Sequence, residues 1–133
     1  MSQRPYVTVR EVMTANPIVI DGLATVREAM DIMRRENFSS LVVARRHEND
    51  AFGLVVVRDI AEHVVGPDRS PDRTSVYEVM AKPALSLDAE LDIKYAARLL
   101  TSLKMTRAVV LEKGELIGLV TLRDLVFRYI PSS

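Results

Sequence analysis

One seven-residue pattern, Gly-Leu-Val-x-x-Arg-Asp, occurs twice in this chain, at Gly53–Asp59 and again at Gly118–Asp124. Around it the sequence is one unit written twice. Glu11-Val12-Met13 returns as Glu78-Val79-Met80 at an offset of 67, and Val26–Val43 aligns with Ile93–Val110 at the same offset. The closing pattern returns at an offset of 65. The two-residue slip falls in Arg45–Asp50, a loop longer than its counterpart Glu112–Glu115, and loops are where insertions are tolerated. A half of about 60 residues buries so little surface that it would be marginal alone. The duplication therefore predicts two copies packed sheet to sheet about a pseudo-two-fold axis, with two related clefts.

Each copy has the same internal order. It opens with a short helix carrying a capping box, Thr8-x-x-Glu11 or Ser75-x-x-Glu78. Proline (Pro17, Pro83) then ends the helix and starts a short strand, Ile18–Ile20 or Ala84–Leu87. An amphipathic helix follows, capped by Thr25 or Asp92, with its apolar stripe on Val26, Ala29, Met30 and Met33, or Ile93, Ala96, Ala97 and Leu100. Two apolar strands form a hairpin: Leu41–Ala44 with Phe52–Val57, and Ala108–Leu111 with Leu116–Thr121, where Lys113-Gly114 makes a compact turn. A last helix spans about Asp59–Val65 and Asp124–Ile130. The first repeat is expected over residues 8–65, the second over 75–131. Residues 66–74, with two prolines, a glycine and alternating charges, are the linker. The fold class is mixed α/β (α+β), each repeat running β-α-β-β-α.

Composition narrows the function classes. At 48% hydrophobic and 27% charged the chain is globular, and 18 basic residues balance 18 acidic ones, so no global field attracts nucleic acid or anionic lipid. Aromatics at 5% supply no stacking platform for single strands. The absence of cysteine excludes disulfides, thiolate metal sites and cysteine nucleophiles. No apolar run reaches the roughly 18 residues of a membrane span. The start lacks a signal-peptide core, and a cytoplasmic location is expected. There is no phosphate-binding Gly-x-x-x-x-Gly-Lys loop, no histidine pair at ligand spacing and no Gly-x-Ser-x-Gly elbow, so the chain is not expected to be an enzyme.

In each copy the repeated pattern runs from the end of a strand into the first turn of a helix. Free amides and the positive end of the helix dipole gather there. A carboxylate at that place serves as a helix cap, or accepts two hydrogen bonds from a vicinal diol such as a ribose. A strand-end hydroxyl, Thr121, adds a donor and acceptor beside it, and Gly53 and Gly118 would begin a strand without a side chain where two segments meet.

On the opening Val-Met followed by proline, the Leu/Ala-Val-Val strand, and the Gly-apolar-apolar-Thr-x-x-Asp ending, the chain resembles the cystathionine-β-synthase-type (CBS) domain in tandem, over about residues 8–131. The resemblance implies regulatory binding of an adenosyl ligand (AMP, ADP, ATP or S-adenosylmethionine) and no further cofactor. Carried over by position, it assigns one ligand site to Asp124 and Thr121 with Thr14, Asn16, Pro17, Ile18, Ser39 and Ser40. The other falls to Asp59 with Met80, Lys82, Pro83, Ala84, Thr106 and Arg107. Arg123 and Arg58, before the aspartates, either reach phosphate or face solvent. The first copy departs from the pattern, since Val56 stands where the second has Thr121. An unpaired ligand group costs about 1–3 kcal/mol, so the Asp124 site is expected to hold ribose better, and the Asp59 site to depend on phosphate held by Arg107.

Other residues point elsewhere. His47 and His63 show no carboxylate spacing that suggests a metal, and are read as solvated or capping. Arg34-Arg35 and Arg45-Arg46 read as a helix end and a loop. Met13, Met30, Met33 and Met80 fall at core spacing. Leu99, Leu103 and Phe127 lie off the main stripes of their helices, which implies a homodimer or completes an intrachain core. Two functions compete: an adenosyl-nucleotide sensor acting on an effector protein, or an assembly adaptor whose clefts are vestigial.

Overall fold

The structure is a computed structural model and describes residues 6–129. The start of the chain and Ile130, the last residue of the expected closing helix, lie outside those residues. It is a mixed α and β fold with two sheets and five α-helices. The strands are β1 Thr14–Ala15, β2 Val19–Ile20, β3 Ser40–Val43, β4 Gly53–Val56, β5 Ser86–Asp88, β6 Arg107–Glu112 and β7 Glu115–Thr121. The helices are α1 Val9–Val12, α2 Val26–Glu36, α3 Val57–Ile60, α4 Ile93–Ser102 and α5 Leu122–Tyr129. A π-helical turn, Ala61–Val65, continues α3, and the second copy opens on a 3-10 turn, Val76–Glu78, rather than an α-helix.

Local chemistry accounts for the main elements. Thr25 Oγ1 accepts the Glu28 amide at 3.1 Å while Glu28 returns a carboxylate to the Thr25 amide at 2.8 Å, starting α2 with both bonds of a capping box. Asn37, with φ of 58°, ends it. Asp92 caps α4 through the Lys94 amide at 3.0 Å. Lys113 and Gly114 both take positive φ, 51° and 81°, as a two-residue hairpin turn requires. All four residues of β3 are buried, as in a strand covered on both faces.

The chain divides into two compact units, and they are not the two repeats. One comprises the residues up to Pro17 with those from Leu85 onward; the other is Ile18–Ala84. The first unit's sheet has order β1-β7-β6-β5, with β5 parallel to β6 and the remaining pairs antiparallel. The second's has order β2-β3-β4, with β2 parallel to β3 and β3 antiparallel to β4. The opening segment of each copy has changed places. Thr14 of the first copy pairs with Leu119 of the second, and its equivalent Ala81 bridges Leu54 of the first. Likewise Thr8 bridges Asp92, and Ser75 bridges Thr25. Val9 and Val12 accordingly fill the core around Ile93, Leu100 and Val120, while Val76 and Val79 fill the one around Val26, Leu41 and Val55.

The methionines pack as expected: Met33 is buried, and Met13, Met30 and Met80 lie against the cores. Gly53 does begin β4, but Gly118 sits inside β7, one residue beyond the irregularity between Val110 and Leu111 that leaves Ile117 unpaired. Leu99, Leu103 and Phe127 are exposed, so they complete no core within the chain.

Candidate functional site

In the first unit, β7 delivers Thr121 to the start of α5. There Thr121 Oγ1 accepts the Asp124 amide at 3.1 Å, and Asp124 Oδ2 accepts the Thr121 amide at 3.0 Å. These reciprocal bonds fix both side chains, and Asp124 Oδ1 enters no hydrogen bond among the described residues. Arg107 lies across the ladder from Thr121, and the Leu122 amide donates to Thr106 O at 2.8 Å. β1 runs beside β7 with Thr14 opposite Leu119, and Asn16 follows with φ of 54°. Thr14, Asn16, Pro17, Thr106, Arg107, Thr121 and Asp124 therefore belong to one unit. Arg123, exposed on α5, stacks its guanidinium over Phe127, 4.7 Å from the ring centre.

The equivalent place in the second unit is built differently. Val56 stands at the helix cap and makes no side-chain cap bond, and the Asp59 carboxylate enters no hydrogen bond or ion pair among the described residues. Ser40 is buried opposite Val56, and Ser39 O accepts the Val57 amide at 3.0 Å. Ile18, Ser39 and Ser40 thus share a unit with Val56, Asp59, Met80, Lys82, Pro83 and Ala84. Ala84 donates its amide to Phe52 O at 2.8 Å, and the Lys82–Pro83 peptide is cis. Met80 packs its side chain toward Gly53 in the core.

Lys82 is committed within the unit. Its Nζ lies 2.7 Å from Asp50 Oδ2. That contact, then the Arg46 amide, holds the Asp50 carboxyl well below the usual carboxylate range, against the opposing effect of desolvation. The longer loop of the first copy is thereby tied to the opening segment of the second. A cleft of about 680 Å³ opens beside this pair, walled by Gly22, Leu23, Val43, Arg46, Tyr77 and Lys82. Met80 and Lys82, expected at the second ligand site, line this cleft, and its other walls come from two segments that no linear motif brings to them.

His63 is half exposed, and two carboxylates lie near it. Asp59, Glu62 and His63 present ligand atoms that all lie within 4.8 Å of one another. A search for histidine pairs misses such a set; the signal was the i, i+3, i+4 spacing of unlike ligands on one helical turn. His47 is bonded only locally, its Nδ1 accepting the Asn49 amide at 3.2 Å.

The CBS-domain profile matches residues 9–66 and 76–130, and the chain belongs to the CBS-domain family. An uncharacterized protein of Methanopyrus kandleri is 26% identical over 118 residues, covering 88% of this chain and 57% of that protein. The chain spans about half the length of the first two curated relatives it matches, 57% and 44%. Among solved structures, the hexameric CBS-CP12 protein from bloom-forming cyanobacteria is 35% identical with a TM-score of 0.89, over 92% of this chain and 68% of that one. The CBS-domain protein TA0289 of Thermoplasma acidophilum is 30% identical with a TM-score of 0.84, over 96% and 71%. Among the described residues, no helix is long and apolar enough to cross a membrane.

Proposed function

We propose that this chain is a regulatory module that binds an adenosyl nucleotide at Thr121 and Asp124 and passes its occupancy to an effector protein. The observation that carries this reading is the reciprocal bonding of those two residues. It holds a carboxylate in one orientation at a helix start with Oδ1 available, and a ribose diol needs such a fixed acceptor. Thr14 on β1, Asn16 just after it and Arg107 on β6 supply a neighbouring strand edge and a cation for the rest of the ligand. The site at Asp59, with Val56 for threonine, is the weaker one. Ligand would act by stabilising one arrangement of the module over another, which is all that a sensor requires.

The module acts as a homodimer in this reading. Its support is the exposure of Leu99 on α4, of Leu103 just beyond its end and of Phe127 on α5. The second reading, a ligand-independent adaptor, draws on Val56 and on the same exposed face.

Calorimetric titration with AMP, ADP, ATP and S-adenosylmethionine separates the two. One of the four is expected to bind wild type, and Asp124→Ala to weaken it by about ten- to a hundredfold. Binding by none of them favours the adaptor. Undiminished binding in Asp124→Ala places the ribose elsewhere.

A further inference from the structure

We infer that Asp59, Glu62 and His63 form a site for a divalent first-row transition-metal ion, separate from the nucleotide site proposed at Thr121 and Asp124 and sharing Asp59 with the weaker one. Three ligand atoms of two kinds, an imidazole nitrogen and two carboxylate oxygens, converge within 4.8 Å. His63 Nε2 and Glu62 Oε2 already stand 3.6 Å apart. Bonds of about 2.0–2.2 Å to zinc draw such atoms closer together, and the side chains of Glu62 and His63, 62% and 50% exposed, are free to close that gap by rotamer changes. The mixed set favours zinc, manganese, cobalt or nickel over magnesium and calcium, which take oxygen ligands throughout.

Two further features single this place out. The Asp59 carboxylate is unspent, entering no hydrogen bond or ion pair among the described residues, whereas that of Asp124 accepts the Thr121 amide. The backbone also widens here, from α3 into the π-helical turn that carries both other ligands. The duplication supplies an internal control. On the same scaffold, the second copy has Phe127 and Arg128 where the first has Glu62 and His63, so one aspartate stands beside metal ligands and the other beside a ring and a cation. The two copies thus differ at 56, 62 and 63 around an aspartate they share. Three protein ligands leave the remaining coordination positions to water or to an anion.

The test is calorimetric titration of the full chain with zinc chloride and, separately, magnesium chloride, in the absence of nucleotide. One zinc per chain and no heat from magnesium are expected. His63→Gln and Asp59→Asn should each weaken zinc by more than about tenfold, and His47→Gln should leave it unchanged. Val56→Thr, by engaging Asp59 in a cap, should also weaken it. Circular dichroism of each variant separates loss of ligand from loss of fold. No zinc uptake by wild type, or uptake undiminished in His63→Gln, overturns the site. Neither outcome bears on AMP binding at Asp124.

Discussion

Gly118 and Gly53 hold equivalent places in the two sheets, yet an added methyl group meets different neighbours. At Gly118 it would overlap Met13 Sδ and come within 3.0 Å of the Thr14 carbonyl oxygen, which is backbone paired into the sheet and unable to yield. At Gly53 it would lie 2.8 Å from Met80 Sδ, the movable part of a flexible side chain, and 3.4 Å from the nearest backbone oxygen. We expect Gly118→Ala to cost about 1–3 kcal/mol by overpacking, and Gly53→Ala distinctly less. Urea denaturation of the two variants measures the difference, and equal losses would contradict the assignment. Val56 is open to the opposite change. Threonine there restores the hydroxyl that Thr121 supplies in the other unit, and should stabilise the chain by about 0.5–1 kcal/mol if Asp59 completes the cap. A denaturation midpoint for Val56→Thr at or below that of wild type would show that it does not.

At the scale of elements, the loop of the first copy and the opening turn of the second are held by ion pairs whose strength depends on pH. Lys82 lowers the Asp50 carboxyl, and the Ser75 amide, then Arg69, lowers that of Glu78. A carboxylate depressed in the folded state contributes stability that is fully present above its unfolded value, about 4, and is lost as pH falls toward the folded one. Stability measured in urea should therefore decline below about pH 4, and Lys82→Met should flatten that decline. An unchanged slope in Lys82→Met would mean that Asp50 draws nothing from Lys82. Elements of this kind divide by how readable they are. Thr25, Asp92 and Lys113-Gly114 declared themselves because caps and tight turns are settled within four residues. The exchange of opening segments did not, because Thr14 against Leu119 and Ala81 against Leu54 are distant pairings that either copy's sequence would satisfy. The repeated aspartates were legible as a pair; what surrounds them was not, since Glu62 and His63 matter only once a helical turn brings them beside Asp59.

For the whole molecule, the exposed face of α4 and α5 carries a prediction about assembly. Leu103 is 50% exposed and Phe127 61%, an arrangement that needs a cover. Light scattering should give a dimer for wild type and a monomer for Leu103→Glu with Phe127→Glu; a wild-type monomer would remove the homodimer from the proposal. The traded opening segments reach further back, to how such a chain arose. A gene encoding one copy would leave its sheet without the edge segment and its core without the paired valines, and only a second molecule could supply them. Carrying both copies on one chain makes that encounter intramolecular instead of concentration-dependent, at an effective concentration on the order of millimolar. The relationship should still be recoverable by cutting within the linker at Ser70. Each fragment alone is expected to lack cooperative unfolding, and an equimolar mixture to regain it.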